Sequence, residues 1–258
     1  RETSGPVAFH DGGEDGFMNT AEKRSSDLTC GPITKSMLRF ALPMILGNLL
    51  QQFYNLADTL IVGQFLGADA LAAVGSSYTL MTFLTSILLG LCMGSGAVFS
   101  IRCGERDEKG LQEGIVHSFV MIASLAVLLN LLVFCFIDPI LVFLQVPEEI
   151  YGMMREYVWV IFWGILATFF YNFYASLLRA VGNSVTPLVF LAVCAVLNIL
   201  LDLLFVVVFH WGVAGAAAAT VLSQYLSGLG LLLYSWIFFP ACRMLPGRVK
   251  FQKRVFGE

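Results

Sequence analysis

Residues 187–209 read PLVFLAVCAVLNILLDLLFVVVF, an apolar run interrupted by one charge, Asp202. A helix needs about 20 apolar residues to cross the hydrocarbon core of a bilayer. Five further runs reach that length, at 40–62, 70–101, 114–137, 157–178 and 211–239. Because apolar residues follow one another instead of alternating with polar ones, these runs predict helices and not barrel strands. The sequence therefore predicts an all-α membrane protein, a bundle of six transmembrane helices.

The composition supports lipid as the main solvent of this chain. Hydrophobic residues make up 58% of the 258 residues and charged residues only 13%, against roughly 25% charged residues in a soluble domain. The basic residues stand in loops between the apolar runs, which does not predict a nucleic-acid partner. The predicted partner of most of the surface is the lipid bilayer.

The loops predict the orientation of the bundle. Arg155 is the only basic residue on one side of the predicted membrane. The loops and tails of the other side carry Lys23, Arg24, Lys35, Arg39, Arg102, Arg106, Lys109, Arg179, Arg243, Arg248, Lys250, Lys253 and Arg254. Positively charged loops stay in the cytoplasm. We therefore expect both termini to be cytoplasmic, as an even number of spans requires.

Three regions follow from this pattern. Residues 1–35, rich in Gly, Ser, Asp and Glu near their start, are expected to form a flexible or interfacial tail. Within it, residues 1–17 read as a non-native leader, because Met18 opens a stretch typical of a natural N-terminus. Residues 36–240 form the predicted six-helix transmembrane lobe. Residues 241–258 are expected to be a cytoplasmic linker, here truncated.

The sequence offers little support for an enzyme or for a structural metal site. No two of the six cysteines form a CxxC pair, so neither a disulfide framework nor a zinc site is predicted. Ser95 stands between two glycines, as in intramembrane serine proteases, but Met93 occupies the position where their motif needs glycine. His117 and His210 lie near opposite membrane faces, so neither is an obvious catalytic partner for Ser95. We expect no enzymatic activity.

Two carboxylates are the sequence's strongest functional signal. Of 18 acidic residues, only Asp58 and Asp202 lie well inside a predicted span. A carboxylate in that position costs a few kcal/mol and persists when it faces the bundle interior or a watery cavity. An ion or proton site is the functional interpretation. A helix–helix hydrogen bond, or an interfacial helix end, is the structural alternative.

A depth argument groups these carboxylates with two other polar residues. At about 1.5 Å per residue, Asp58 lies about four residues and Asp202 about seven residues from the outer ends of their spans, within about 5 Å of the same depth. Thr220 lies at a comparable depth in the inward-running sixth span. Asn198 is one turn from Asp202 on the same face. We predict that these four residues form a cation or proton site.

The chemistry of this level suits cation exchange. Carboxylate, amide and hydroxyl oxygens are ligands for a hard cation such as Na⁺, while burial and a nearby like charge both favour the protonated form of a carboxyl group. An organic cation would compete with either ion. Gln51, Tyr54, Asn55 and Tyr171 are the candidate substrate-cavity residues. Phe53, Phe169, Phe170 and Tyr174 complete the candidate aromatics, which suit cationic amphiphiles but equally suit contact with lipid.

Several motifs in order resemble those of the multidrug and toxic compound extrusion (MATE) family, prokaryotic branch. They are FALP at 40–43, YNLADT at 54–59, LRAVGN at 178–183, LNILLD at 197–202 and VAGA at 213–216. The likeness extends over roughly residues 28 to 240. The resemblance implies an exporter of cationic amphiphilic drugs or metabolites in the plasma (inner) membrane, driven by inward flow of Na⁺ or H⁺. It carries the family's cation site onto Asp58, Asn198, Asp202 and Thr220, with Gln51 as a cavity residue, and it implies no bound cofactor.

The resemblance also implies a missing half. The family has twelve helices in two lobes, and this chain is similar to the N-terminal lobe, so a second six-helix lobe is the expected partner; pairing of two copies is an alternative. Two other functions stay open at this point. A lobe of a lipid-linked oligosaccharide flippase would need basic residues in its cavity, and none lies inside the six runs. A non-transporting membrane scaffold would tolerate neutralisation of Asp58 or Asp202.

Overall fold

The fold is an all-helical bundle, as the sequence predicts. The computed structural model describes residues 33–105 and 107–239. The predicted leader, most of the tail and the linker therefore lie outside the described residues. Within them the α-helices are α1 Ile33–Phe65, α2 Ala68–Gly104, α3 Glu108–Phe143, α4 Glu148–Ile161, α5 Ile165–Ala180, α6 Val185–Asp202 and α7 Gly212–Phe238.

Three of the six predicted spans are not uniform α-helices, the third because α3 bends near its end. The fourth consists of α4 and α5, joined by a 3₁₀ turn at Phe162–Gly164, and α6 continues into a π-helical turn at Leu203–Val208. Five helical segments of the described chain are long and apolar enough to cross a membrane. The remaining predicted span corresponds to α1, which is not among these five, although its 33 residues correspond to a length of about 50 Å. It is the least apolar because Asn48, Gln51, Gln52 and Asn55 interrupt it.

The helices α2 and α7 organise the packing. α7 packs against α4, α5 and α6, α2 packs against α3, α4 and α5, and α1 packs mainly against α6. Small residues allow these approaches: a Cβ on Gly228 would stand 3.0 Å from the carbonyl oxygen of Ala167, and one on Gly96 would stand 3.2 Å from the Cβ of Ser176. Close contact through small residues is the usual way in which helices pack in lipid.

Large apolar side chains cover the outside of the bundle, the reverse of a soluble protein. Phe143 is 85% exposed, Val142 69% and Phe83 67%. The interior holds an aromatic cluster instead, in which the Phe119 ring centroid lies 5.2 Å from that of Phe169 and 5.3 Å from that of Phe173. A bilayer is the medium that covers such a surface favourably.

The α3 helix bends near its C-terminal end. Phe136 has non-helical torsions (φ −119°, ψ 23°), three residues before Pro139, which cannot donate a backbone hydrogen bond and clashes with the preceding turn. Beside the bend, the Asp138 carboxylate accepts hydrogen bonds from Arg155 Nε at 2.7 Å and from the Tyr151 hydroxyl at 3.0 Å. These contacts join the end of α3 to α4.

Candidate cation site

The four residues that the depth argument groups lie together in the structure. Asn198 and Asp202 are fully buried, one turn apart on α6. The Asn198 Nδ2 donates to Oγ1 of Thr220 on α7 over 3.2 Å. Asp58 approaches from α1, and its carboxyl group lies close enough to that of Asp202 to share a hydrogen bond when one of them is protonated. Three helices thus contribute to one polar cluster.

The oxygens of this cluster lack donors. Asp58 Oδ1, Asn198 Oδ1 and both carboxylate oxygens of Asp202 are buried with no hydrogen-bond partner in the described part of the chain. Burying an ionised carboxylate without a compensating group is costly. A bound cation or a proton would compensate such a group. Together with Thr220 Oγ1, the atoms that could coordinate an ion are all oxygens, which a hard cation prefers as ligands.

A π-helical turn follows Asp202 directly. The backbone N–H of Phe209 donates a hydrogen bond of 2.9 Å to the carbonyl oxygen of Leu204, which is five residues earlier in the chain. The wider turn changes which residues face inward beyond Asp202, and it buries Phe205, whose ring centroid lies 4.9 Å from that of Trp211. Single π turns inside helices are frequent at functional sites.

Tyr157 on α4 belongs to the site and is absent from the sequence prediction. Its side chain is 6% exposed and lies within electrostatic range of Asp58, Asp202 and Tyr54. It lines a cavity of about 350 Å³ between α1, α2 and α4, together with Gln52, Asn55, Leu56, Asp58, Thr59, Leu71, Val74, Gly75 and Tyr78. The depth argument could have found it, because the fourth span begins on the outer side near Tyr157.

The predicted substrate-cavity residues divide between two regions. Asn55 lines the cavity, and Tyr54 lies near Asp58, whereas Gln51 is exposed. Tyr171 is elsewhere: its hydroxyl donates to the Pro187 carbonyl oxygen at 3.0 Å, at the end of α6 opposite Asp202.

The remaining aromatic candidates do not gather at the aspartates. Phe53 is 67% exposed, and Phe169 is buried in the aromatic cluster of the interior. Tyr174 is buried on α5 beside the Phe173 ring. Phe170 contacts the rings of Phe119 and Phe169. Three of these four rings therefore belong to the bundle interior. Residue type alone does not tell an interior aromatic residue from one that lines a cavity.

One basic residue lies deeper than the sequence suggests. α5 extends to Ala180, so Arg179 is in its last helical turn instead of the following loop. Its half-buried side chain interacts with Cys92 and Tyr171, near the end of the bundle away from the aspartates. The charges at the cluster itself are therefore the two carboxyl groups.

The fold and this cluster define a multi-pass membrane protein with a buried, oxygen-lined carboxylate site. The MatE family model matches residues 43–204, and the chain belongs to this family. A curated relative, the probable multidrug resistance protein YpnP of Bacillus subtilis (strain 168), is 37% identical over 211 residues, which are 82% of this chain and 47% of the relative. The chain thus spans about half the length of the curated relatives it matches.

Solved structures agree with this assignment. A crystal structure of MATE in the bent conformation matches with a TM-score of 0.80 and 28% identity, over 88% of this chain and 50% of the other. A MOP superfamily transporter from Pyrococcus furiosus Vc1, described as having reverse polarity of its binding pocket, matches with a TM-score of 0.83 and 26% identity, over 90% and 51%. The family fold is therefore present here over about half of each transporter.

Proposed function

We propose that this chain is the cation-site lobe of an antiporter that exports cationic amphiphilic drugs or metabolites across the plasma membrane, coupled to Na⁺ or H⁺. The observation that carries the proposal is the cluster of unpartnered oxygens on Asp58, Asn198 and Asp202 beside Thr220. The family supports export as the activity, since the relative YpnP is described as a probable multidrug resistance protein.

Competition for the carboxyl groups would provide the coupling. Binding of Na⁺ or of a proton compensates the charge of Asp58 and Asp202, whereas an organic cation is attracted to the ionised pair. The adjoining cavity of about 350 Å³ falls within the size range of small-molecule sites, about 300–1,000 Å³. Tyr78 and Tyr157 line it and offer aromatic faces, which attract organic cations.

A second six-helix lobe is the proposed partner. Alternating access by rocking of two repeats needs both halves, and this chain covers about half of its relatives. The exposed apolar side chains of α1, among them Leu49, Phe53 and Leu60, offer a surface for it. Lipid covers the rest of the bundle in this proposal.

The sign of the charge favours cations over anionic lipid-linked sugars as substrates. Because the fold is shared with a transporter whose pocket polarity is described as reversed, the fold by itself does not select the substrate class. The cavity includes Asp58, and Asp202 lies beside it, whereas the half-buried Arg179 interacts with Cys92 and Tyr171. An acidic site attracts cations and repels pyrophosphate-like groups.

Ligand-dependent thermal stability tests the cation site. The purified chain in lipid nanodiscs is unfolded in NaCl and in choline chloride, at mildly alkaline and mildly acidic pH. A ligand that binds the folded state raises the Tm, so we expect stabilisation by Na⁺ that weakens on acidification, as protons compete. If protons are the only ligand, acidification itself stabilises the chain.

The variants Asp202→Asn and Asp58→Asn should lose these responses. Asp138→Asn, which removes a carboxylate at the end of α3, is the matched control and should keep them. Responses to Na⁺ and pH that are the same in Asp202→Asn as in the unchanged chain, or absent from the unchanged chain, would overturn the proposal.

A further inference from the structure

The 3₁₀ turn between α4 and α5 is fastened at each of its three carbonyl oxygens. The Phe162 oxygen accepts from Asn130 Nδ2 at 2.6 Å, the Trp163 oxygen from the Tyr225 hydroxyl at 2.9 Å, and the Gly164 oxygen from Thr168 Oγ1 at 3.0 Å. A break in a membrane helix frees backbone groups that must find partners within the protein. Side chains from α3, α5 and α7 supply such partners, in addition to the Ile165 backbone N–H that donates to the Phe162 oxygen, so the break has a defined geometry.

Helix α7 is seated against this break through Gln224. A Cβ on Gly164 would stand 3.1 Å from Val221 Cγ2 and 3.2 Å from Gln224 Oε1, so glycine is what allows the approach. Gln224 Oε1 also lies 2.9 Å from Thr168 Oγ1. The single hydroxyl proton of Thr168 therefore has two acceptors, the Gly164 carbonyl oxygen and Gln224 Oε1.

Gln224 also reaches the helix that carries Asp58. It stands one turn after Thr220, on the same face of α7. With Oε1 at Thr168, its amide NH₂ remains available, and the side chain interacts with the phenol of Tyr54 on α1. Tyr54 in turn is one turn before Asp58. One amide thus contacts α5 and α1 directly below the polar cluster.

We propose that Gln224 is a positioning residue of the cation site. By bridging Thr168 on α5 and Tyr54 on α1, it holds Asp58 against Asp202, Asn198 and Thr220 without binding the cation itself. This inference rests on the proposed cation site. It adds a residue whose effect on the cation is indirect, since its own contacts are Thr168, Gly164 and Tyr54.

The test measures the Na⁺ concentration, or the pH, that gives half-maximal stabilisation of the full purified chain in nanodiscs. Gln224→Met keeps the length of the side chain but removes its hydrogen bond with Thr168 and its polar interaction with Tyr54, and Thr168→Val removes the Thr168 end of the bridge. A net hydrogen bond contributes about 0.5–1.5 kcal/mol, so each change should weaken apparent cation affinity by roughly two- to tenfold. The Thr168→Val/Gln224→Met double variant should be no weaker than the weaker single variant, because both act through one bridge.

Two controls separate positioning from general damage to the break. Tyr225→Phe removes a hydrogen bond to the same 3₁₀ turn but leaves the Gln224 bridge intact, and Thr168→Ser keeps the hydroxyl. Both should retain the affinity of the unchanged chain, even where Tm falls. Equal losses of affinity in Gln224→Met and Tyr225→Phe, or additive losses in the double variant, would overturn the positioning role.

The failure of this inference is distinguishable from failure of the proposed function. If the unchanged chain responds to cation and Asp202→Asn does not, while Gln224→Met and Thr168→Val both respond as the unchanged chain does, the positioning role alone is wrong. If the unchanged chain itself gives no response to Na⁺ or to protons, the cation site is wrong, and the role of Gln224 is rejected with it.

Discussion

Asn198 Nδ2 donates to Thr220 Oγ1 over 3.2 Å and so ties α6 to α7 one turn before Asp202. The bond uses a donor of the amide and leaves its carbonyl oxygen, Asn198 Oδ1, without a partner. Consequently the polar atoms that remain free around the two aspartates are acceptors. In the proposed cation site, this contact would favour a cation in addition to holding two helices together.

Thr220→Val tests that contact. Valine matches threonine in shape but offers no acceptor, so the buried Asn198 amide loses its partner. We expect the half-saturating Na⁺ concentration to rise by roughly tenfold, or the proton affinity to fall by the same factor, because a hydrogen bond of about 1.5 kcal/mol is lost. Thr220→Ser keeps the oxygen and should stay near the unchanged chain; a valine variant that binds as well as the serine variant would contradict the assignment.

Neutralising Asp202 should separate stability from activity. In choline chloride, at a pH high enough to ionise Asp202, the carboxylate is buried without a partner in the described residues, so Asp202→Asn should raise the Tm by removing an uncompensated charge. The same substitution should abolish efflux of cationic dyes from pump-deficient bacteria in which the chain is expressed joined to the C-terminal half of a MATE relative. Asp138→Asn should leave efflux unchanged. Dye export by Asp202→Asn at equal expression would exclude the coupling role.

Asn130→Leu tests the fastening of the 3₁₀ turn. Asn130 is 8% exposed and donates to the Phe162 carbonyl oxygen at 2.6 Å. The Phe162 oxygen keeps its bond from the Ile165 backbone N–H, so loss of the buried Asn130 bond should lower the free energy of unfolding by about 0.5–1.5 kcal/mol, measured by denaturant or thermal unfolding in nanodiscs. Ser86→Ala, which loses only an exposed bond to Thr82 of its own helix, should change it by less than about 0.5 kcal/mol.

Alanine at Gly228 should separate close packing from helix propensity. Its Cβ would meet the Ala167 carbonyl oxygen at 3.0 Å, a backbone atom that cannot rotate away. We expect destabilisation of about 1–3 kcal/mol from overpacking. At Gly90 nothing lies within 4 Å of the added Cβ, so the same change there should be neutral or stabilising by up to about 1 kcal/mol. Similar unfolding curves for the two variants would contradict the packing described for α5 and α7.

The sequence predicts the polar cluster well because depth in a membrane follows from simple arithmetic. Rise per residue is constant and the loop charges predict the direction of each span, so Asp58, Asn198, Asp202 and Thr220 are grouped before any coordinates. Their geometry agrees with that grouping, although their function stays a prediction. Tyr157 needed only the same arithmetic applied to the fourth span.

Other features depend on information that depth does not contain. Tyr171 is a candidate by residue type, yet its hydroxyl lies at Pro187. It stands fourteen residues after Tyr157 in a span that runs inward, away from the level of the aspartates. The 3₁₀ turn has no sequence signal beyond Gly164, since its carbonyl partners come from three other parts of the chain. Gln224 is visible only once α1, α5 and α7 are packed, because a span pattern gives depth but not neighbours.

The pairing of the first helix with a late one has a consequence for synthesis. α1 packs mainly on α6, so Asp58 meets Asp202 only after most of the lobe has been translated, roughly ten to thirty seconds later at typical rates. During that interval α6 is not yet present to pack against Asp58, so the Asp58 carboxylate must be solvated by water or lie within the translocon. A nascent chain stalled before α6 should accordingly react faster at Asp58 with a water-soluble carboxyl reagent than a chain released after α7, in which Asp58 is partly buried beside Asp202.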